Sequence, residues 1–396
     1  MSADSYCLQR QTKAKHDLLK NYLPAWSRVL SEAGHPKLLY VDGFSFTGQY
    51  TSDEDGGEGG PGSPLIALKC FTGDGEPSAC GQFVFVEESP SYVEELKGNI
   101  DRWPHRRSKD SVQCLCGRFE DEILPTLSEL EQCNDEACRG KYPVGSQAWM
   151  DLIVPAFVFI DPYGATGFPM ELVRRILALP RTEVFINLMW VRTAFNLKNP
   201  DHQAKGVFTK VFGNDEWKHI AALSGDDLRR AYLELYMKRL RAPDGAGASI
   251  VRHFEMRSSD GKFAYWMVFA TNNRVGWRKM KEAMWGVDPG GGFAYYDTTA
   301  SGQEVLFEKT PNLLLLRRML GERFGRRADV PFAEIEEFVL MDTPYLPNRH
   351  LKRGTLVPME KEGTISVKRP DGKRGGSFPQ GCVVDFTGTG SQPMLI

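Results

Sequence analysis

The feature that most constrains the fold is an alternation of short apolar runs with segments of helical periodicity. The runs are too short for free-standing helices and are almost wholly apolar, which is typical of strands buried on both faces. Strands that alternate with helices in this way indicate βαβ units and an α/β fold with a parallel, doubly wound sheet. The predicted strands are 37–41, 82–86, 112–116, 155–160 and 183–189, with two further candidates at 250–256 and 264–270.

The helices between these strands are predicted from apolar residues at three- and four-residue steps. In the helix that opens at residue 63, Ser63 is the expected N-cap and Pro64 the first helical residue. Two segments, 125–153 and 190–247, are expected to contain insertions on the substrate side of the domain. The predicted helices of this part of the chain are 11–33, 63–68, 90–100, 170–179, 226–240 and 277–284.

After Gly302 the pattern changes to three helices, at 312–324, 332–340 and 343–359, followed by a hairpin that turns at Asp371-Gly372. This order predicts a winged-helix-like domain over 304–396, behind an α/β domain over 1–303. Its basic residues would suit a phosphate backbone, although a solvated helix and turn or a dimerisation wing would have the same composition. The candidate nucleic-acid-binding residues are Lys352, Arg353, Lys368, Arg369, Lys373 and Arg374.

Composition limits the classes of protein to which the chain can belong. A chain of 396 residues that is 41% hydrophobic can bury a large core and is too long for one average domain. Its net charge of −2 gives no overall preference for nucleic acid or membrane. We see no signal-peptide core and no membrane-spanning apolar run, and therefore expect a cytoplasmic protein. The eight cysteines lack zinc-ribbon spacing, so buried thiols are expected rather than disulfides or a metal site.

The ends of the first three strands carry residues that suit an adenosyl cofactor, because ligands of open α/β sheets bind beyond the carboxyl ends of the strands. Glu87 could hold a ribose, although an acid there also supports the following helix. A nicotinamide cofactor would require Gly-x-Gly-x-x-Gly, which the first turn lacks, so S-adenosylmethionine (SAM) fits better. The candidate cofactor-binding residues are Lys15, His16, Asp42, Gly43, Phe44, Gly48, Glu87, Gly117 and Phe119.

The fourth strand ends in Asp161-Pro162-Tyr163-Gly164, which we take as the candidate catalytic segment. Methyl transfer to an exocyclic amine needs a localised nitrogen lone pair and an acceptor for the amine protons. A carboxylate and a neighbouring backbone carbonyl provide both, and an aromatic ring can stack on a base that has left its own stack. Alternatively, Asp161 caps the following helix. Lys15 and His16 could close over the cofactor, although a single histidine is more often structural.

Several of these motifs together resemble the three-Cys-motif partner family, over residues 11 to 386. The resemblance implies association with a separate cysteine-motif protein of the radical, iron–sulfur type, and a core similar to class I methyltransferases. The strand end also resembles that of ribosomal-RNA adenine methyltransferases, which carry Asp-Pro-Pro-Tyr. The motifs are Thr12-Lys-Ala-Lys15-His16, Tyr40-Val-Asp42-Gly43-Phe44, Gly62-Ser63-Pro64, and Phe159-Ile-Asp161-Pro162-Tyr163-Gly164.

The chain departs from that family in the first turn, where Ser45-Phe46-Thr47 replaces the usual Ala-Gly-Pro. The ring of Phe46 either points away or fills part of the methionine pocket. The first hypothesis is therefore a SAM-dependent methyltransferase acting on nucleic acid. The second is a catalytically inactive binding or regulatory subunit of the cysteine-motif partner. The third is a metal-dependent nuclease that uses Asp42, Glu87 and Asp161.

Overall fold

The computed structural model describes residues 10–51, 59–73, 75–138, 142–162, 168–190, 196–199, 201, 205–257, 263–287, 294–296, 304–306, 312–370 and 374–390. The chain divides into two compact units, Met1–Val287 and Asp288–Ile396. This division lies N-terminal to the domain boundary that we expected at residues 303 and 304.

The N-terminal unit alternates strands and helices as the sequence predicts. Its strands are β1 Lys37–Asp42, β2 Gln49–Tyr50, β3 Gly60–Pro61, β4 Cys80–Glu87, β5 Ser111–Cys116, β6 Ala156–Ile160, β7 Glu183–Met189, β8 Ile250–Arg257 and β9 Phe263–Thr271. Its helices are α1 Arg10–Glu32, α2 Ser63–Cys70, α3 Pro90–Asp101, α4 Phe119–Cys138, α5 Gln147–Leu152, α6 Met170–Ala178, α7 Val207–Phe212, α8 Trp217–Ile220, α9 Gly225–Arg241 and α10 Arg274–Met284.

The seven longer strands of this unit form one sheet in the order β5-β4-β1-β6-β7-β9-β8. The first five are parallel, and β9 runs antiparallel to both of its neighbours. β2 and β3 form a separate small antiparallel pair. The order reverses at β1, so the crevice expected in a doubly wound sheet opens at the carboxyl ends of β1, β4 and β6. The predicted Rossmann-like α/β fold is confirmed.

The two faces of the sheet bury different side chains, because successive residues of a strand point to opposite sides. One face is mainly aliphatic and packs against α4, α6 and α9. The other is rich in aromatic rings and packs against α1, where the ring of Tyr22 lies 5.4 Å from that of Phe157 and 5.7 Å from that of Phe269. α1 thus covers the centre of the sheet and brings its own polar residues to the crevice.

Two local expectations need correction. Gly62, not Ser63, is the N-cap of α2, and Ser63 is already helical. The third C-terminal helix does not begin at residue 343: a π-helical segment, Pro347–Leu356, is followed by a short α-helix, α13, Val357–Lys361. Thr343 is instead extended, with its hydroxyl donating to the carbonyl of Val339 at 2.8 Å. This contact ends the preceding helix.

The C-terminal unit begins with a strand pair, β10 Ala294–Tyr296 and β11 Glu304–Leu306. It continues with α11 Leu313–Phe324, β12 Val330–Pro331, α12 Phe332–Asp342, the π-helical segment, α13, β13 Ser366–Lys368 and β14 Val383–Asp385. The last three strands form an antiparallel sheet in the order β12-β14-β13. Among the described residues of both units, no helix is long and apolar enough to cross a membrane.

Candidate active site

Polar side chains meet where the central strands of the N-terminal unit end. β1 ends in Asp42 and β4 in Glu87, while Asp161 directly follows β6. Asn187 lies in β7, beside Asp161, because Ile160 and Ile186 are register partners. The carboxyl ends of parallel strands share one edge of a sheet, so these four side chains lie at or beneath one crevice.

Asp161 is held from two sides. The Lys15 ammonium forms an ion pair with Oδ2 of Asp161, and the side-chain amide of Asn187 donates to Oδ1 at 2.6 Å. The side chains of Lys15 and Asp161 are only 7% and 19% exposed, so this pair is largely desolvated. Both carboxylate oxygens are therefore fixed by charge-assisted bonds, which are the strong ones in proteins. Asp161 thus contacts α1 and β7, and the N-cap of α6 is Pro169 rather than Asp161.

Two further residues line the Lys15 side of this pair. The Lys15 ammonium lies 5.9 Å from the ring centroid of Tyr265 in β9. Burial, the charge of Asp161 and the proximity of Tyr50 raise the pKa of Tyr265 well above its usual value. Burial and the charges of Lys15 and Lys20 lower the pKa of His16 well below its usual value. His16 is thus a neutral imidazole at physiological pH, and its ring lies 5.7 Å from that of Tyr50.

Asp42 braces the first turn. Its carboxylate accepts a hydrogen bond from the Ser63 hydroxyl and one from the backbone N–H of Phe44, the latter at 3.2 Å. Burial raises the pKa of Asp42 to about 7, against the opposing effect of these two bonds. Ser63 therefore donates a hydrogen bond to the carboxylate at the end of β1 and is not the N-cap of α2. Asp42 is fully buried, which places it beneath the crevice rather than on its surface.

Glu87 is also fixed by backbone groups. Its Oε2 accepts from the N–H of Phe46 at 3.0 Å, and its Oε1 accepts from the N–H of Ser89 at 2.9 Å. A carboxylate oxygen has two lone pairs, so each oxygen can accept one more bond. Glu87 is half-buried. It could hold a pair of hydroxyls such as those of a ribose while it ties the first turn to β4.

Phe46 has a left-handed backbone conformation, with φ +50°, which is uncommon for a residue other than glycine. Its ring lies 4.7 Å from that of Tyr92 on α3 and 6.3 Å from that of Tyr50. Since Tyr50 also contacts His16, these four rings form a continuous chain from α1 to α3 across the ends of β1 and β4. We call His16, Tyr50, Phe46 and Tyr92 the aromatic chain.

The glycines of the strand ends approach side chains of the protein itself. A Cβ at Gly43 would lie 2.7 Å from the ring of Phe119, and one at Gly117 would lie 2.4 Å from Oε1 of Glu122. Gly48 has φ +72°, and a Cβ there would lie 2.6 Å from Leu96. Phe119 was expected to contact the cofactor, but it is 1% exposed and its ring stacks on that of Phe168. It is a core residue beneath the first turn.

The remaining candidates of the crevice are placed as follows. Pro162 is half-buried directly after Asp161, and Phe44 is half-buried with its ring 5.9 Å from that of Phe119. Tyr163 and Gly164 lie outside the described residues. Within the described ranges, no group of three His, Cys, Asp or Glu side chains could hold a metal ion, so the nuclease hypothesis gains no metal site there.

The basic residues of the C-terminal unit have different environments. Arg369 is internal: its guanidinium pairs with Glu360 at 2.6 Å and donates to the carbonyl of Ser377 at 2.7 Å. Lys368 pairs with Asp329, and Lys352 pairs with Glu336 while lying over the ring of Phe332. Arg353 and Arg374 are exposed. Lys373 lies outside the described residues.

Neither a site role for Asn187 nor the role of Ser63 was predicted from the sequence. Asn187 was counted only as part of an apolar strand, yet it is the one amide within Glu183-Val-Phe-Ile-Asn-Leu-Met. A polar residue inside a strand buried on both faces must find a partner, which could have identified it. Ser63 gave no comparable signal, because a serine before proline at a helix start is typical of a cap.

No protein-family model matches the sequence, and no curated protein sequence matches it. Solved structures are similar at low identity. A Legionella pneumophila protein, LPL1258 of the family DUF519, is 11% identical with a TM-score of 0.37, over 71% of this chain and 95% of that one. The human methyltransferase 10 domain containing protein is 11% identical with a TM-score of 0.27, over 65% and 83%.

These similarities are too distant to carry a functional argument, so the assignment depends on topology. Numbered along the chain, the seven long strands have the order 3-2-1-4-5-7-6 with strand 7 antiparallel. That arrangement is the one of class I methyltransferases. The N-terminal unit therefore has a methyltransferase-like fold, with acidic strand ends at the crevice.

Proposed function

We propose that this protein is a SAM-dependent methyltransferase that acts on an exocyclic amine of a nucleic-acid base. The observation that carries the proposal is the Lys15, Asp161 and Asn187 arrangement beside Asp42 and Glu87 at the carboxyl edge of the sheet. An ion pair that is largely desolvated is costly to bury and adds little to stability on balance. Its position in the ligand-binding crevice, rather than elsewhere in the core, favours a functional role.

The cofactor side of the crevice fits an adenosyl group. Glu87 is half-buried and keeps acceptor capacity on both oxygens, which suits the two hydroxyls of a ribose. Asp42, His16 and Lys15 would support this side from beneath. When bound, SAM supplies a methyl group made electrophilic by its sulfonium. The acidic residues of the crevice would favour such a cation, since Lys15 is neutralised by Asp161.

On the acceptor side, Asp161 and Asn187 would orient the amine. Asp161, paired with Lys15, can accept an amine proton while the nitrogen lone pair faces the methyl group. A bound SAM would supply its methyl group to this nitrogen and would be released as the thioether. The surplus amine proton is accepted by the Asp161 carboxylate and passes to water. Positioning and electrostatics would supply most of the rate.

The test is transfer of labelled methyl from SAM to pooled RNA and DNA, with and without a cysteine-motif partner protein. We expect label in one pool, and a loss of about 100-fold or more for Asp161→Asn, because that change removes the charge but keeps the shape. Asp17→Asn is the matched control, since Asp17 pairs with Lys20 on the exposed face of α1. Equal transfer by wild type and Asp161→Asn would contradict the proposed role.

A second candidate function is a binding or regulatory subunit that has lost transfer, and the aromatic chain favours it. Its rings cross the ends of β1 and β4, where the methionine part of the cofactor would lie. On this alternative the protein would support the cysteine-motif partner without binding SAM. Restored SAM binding in Phe46→Gly, with none in wild type, would favour this second function.

We also propose that the C-terminal unit is a winged helix that binds nucleic acid. Its element order, helix, strand, two helices and a hairpin, with the sheet order β12-β14-β13, supports this assignment. The exposed Arg353 and Arg374 are the best candidates for phosphate contacts. Arg369 is a less suitable candidate, because its guanidinium is engaged by Glu360 and by backbone carbonyls.

A further inference from the structure

Asn187 has an unusual environment for an amide side chain. It lies inside β7, between β6 on one side and β9 on the other, where Met267 is its register partner. The residue is only 5% exposed. Burying an amide without hydrogen bonds is unfavourable, so both ends of this side chain need partners.

Asp161 fixes which way the amide points. An ionised carboxylate can only accept hydrogen bonds, so the NH2 group of Asn187 must face it, at 2.6 Å. The amide oxygen is then directed away from Asp161. Lys15, on the other oxygen of the same carboxylate, keeps this arrangement in one orientation.

The amide oxygen of Asn187 has no hydrogen-bond partner in the described part of the chain, although it is buried. If the only role of Asn187 were to anchor Asp161, the N–H bond would be sufficient and the oxygen would be an uncompensated acceptor. The side chain that carries this oxygen lies beside Asp161, the proposed catalytic carboxylate, at the carboxyl ends of β6 and β7. It is suited to receive an N–H donor from a ligand.

We infer that Oδ1 of Asn187 accepts an N–H of the exocyclic amine of the target base, and that it selects amino bases over keto bases. The inference rests on the proposed methyl transfer to a base amine. An amide oxygen accepts a hydrogen bond without taking the proton, so it would hold the amine with its lone pair free. A base with a carbonyl at the same position would place two acceptors against each other, and the site would reject it.

The test uses pairs of single-stranded oligonucleotides that differ in one base: adenine against hypoxanthine, and cytosine against uracil. Affinities are measured by competition in the presence of S-adenosylhomocysteine, the demethylated product. For one of the two pairs, wild type should bind the amino form about 10-fold more tightly than the keto form. Asn187→Leu should reduce that ratio to about twofold, chiefly because the keto form binds more tightly than to wild type.

Tighter binding of the keto form by Asn187→Leu would distinguish base selection by Asn187 from a purely structural role of this residue. A variant with a damaged site would only lose affinity. Asn272→Leu is the matched control directly after β9, because Asn272 already has partners for both ends in Leu177 and Ser249. Should Asn187→Leu fail to fold, Asn187→Asp replaces it. The protonated carboxyl of the new aspartic acid keeps one donor and one acceptor. The preference for the amino base should therefore persist at acidic pH and fall as the pH rises.

Equal affinities for both members of each pair in wild type, or an unchanged ratio in Asn187→Leu, would overturn the inference. If instead the proposed function is wrong, the amino forms would receive no labelled methyl from SAM, even where the affinity ratio is present.

Discussion

The ion pair between Lys15 and Asp161 is the main charged contact of the crevice. It joins the first helix to the end of the fourth strand of the parallel series, across a separation that no local sequence rule describes. A carboxylate that is 19% exposed and has lost its partner is poorly solvated. The stability of the folded protein is therefore sensitive to removal of either member of the ion pair.

We predict that Lys15→Met lowers the free energy of unfolding by about 3 kcal/mol, because it leaves Asp161 in a largely buried place without its cation. Lys20→Met on the same helix removes an exposed pair with Asp17, with side chains 46% and 37% exposed, and should cost at most about 0.5 kcal/mol. Urea unfolding of both variants measures the difference. Similar losses in the two would argue against a desolvated pair at Lys15.

A further buried acid lies at the amino end of β7, away from the crevice. Glu183 opens β7, and it accepts hydrogen bonds from the Tyr22 hydroxyl and, at 3.3 Å, from the Thr271 hydroxyl. Burial raises the pKa of Glu183 to about 7. Nothing in the sequence marks this residue, because its cluster forms only when α1, β7 and β9 are assembled.

The raised pKa of Glu183 predicts a pH dependence of stability. From the usual value of 4.5 to about 7, the folded state binds the proton and the unfolded state does not, so stability falls as the pH rises through this window. The full change is roughly 3 kcal/mol. Glu183→Gln should remove this part of the slope in urea unfolding between about pH 5 and pH 8. Asp42, with a pKa also near 7, leaves a residual slope in both proteins.

An identical pH slope in wild type and Glu183→Gln would show that Glu183 is not the buried acid responsible. Thr271→Val is a suitable control, because it removes one weak hydrogen bond to Glu183 but no titrating group.

Among the elements, the first turn, between β1 and β2, determines how the crevice is built. Its backbone is tied to Glu87 through Phe46 and to Asp42 through Phe44. Its glycines lie against Phe119 and Leu96, so they are required by internal packing whether or not a cofactor approaches. The turn is a structural joint between three strands.

We predict that Gly43→Ala destabilises the protein by about 2 kcal/mol, because the new Cβ would overlap the buried ring of Phe119. Gly60→Ala is the matched control in β3: no atom lies within 4 Å of a Cβ there, and the change should be neutral or slightly stabilising. Thermal unfolding of both variants gives the comparison. A Gly43→Ala protein of unchanged stability would mean that the glycine serves a ligand instead.

The strands were predictable because their buried apolar runs give a strong local signal, and the carboxyl-edge position of Asp42, Glu87 and Asp161 follows from their order. Other parts were not. The burial of Phe119 at the start of α4 could not be predicted, because an aromatic after a strand has the same local sequence whether it faces a ligand or the core. The contact of Asn187 with Asp161 required the register of β6 and β7.

At the scale of the whole molecule, the two units have separate chemistry. The acidic, partly buried crevice belongs to Met1–Val287, and the exposed basic residues considered for phosphate binding belong to Asp288–Ile396. With a net charge of −2, any attraction to nucleic acid must come from such local groups.

We predict that Arg353→Ala weakens nucleic-acid binding and lowers the salt dependence of log K by about one unit, as expected for one lost phosphate contact. Arg369→Ala should instead destabilise the C-terminal unit by about 2 kcal/mol, because it leaves Glu360 and two backbone carbonyls without their donor. Salt titrations of binding, paired with thermal unfolding, separate the two effects. An Arg369→Ala protein of normal stability with a reduced salt slope would reverse these assignments.

We propose that the carboxyl edge of the sheet holds a methyl-donor cofactor, and calorimetric titration with SAM and S-adenosylhomocysteine measures this binding. We predict saturable binding to wild type, weakened about 10-fold or more in Glu87→Gln, where the ribose would lose a charged acceptor. Phe46→Gly should bind more tightly, because it opens the aromatic chain and suits the left-handed backbone at φ +50°. No heat from folded wild type and from folded Phe46→Gly would contradict the claim.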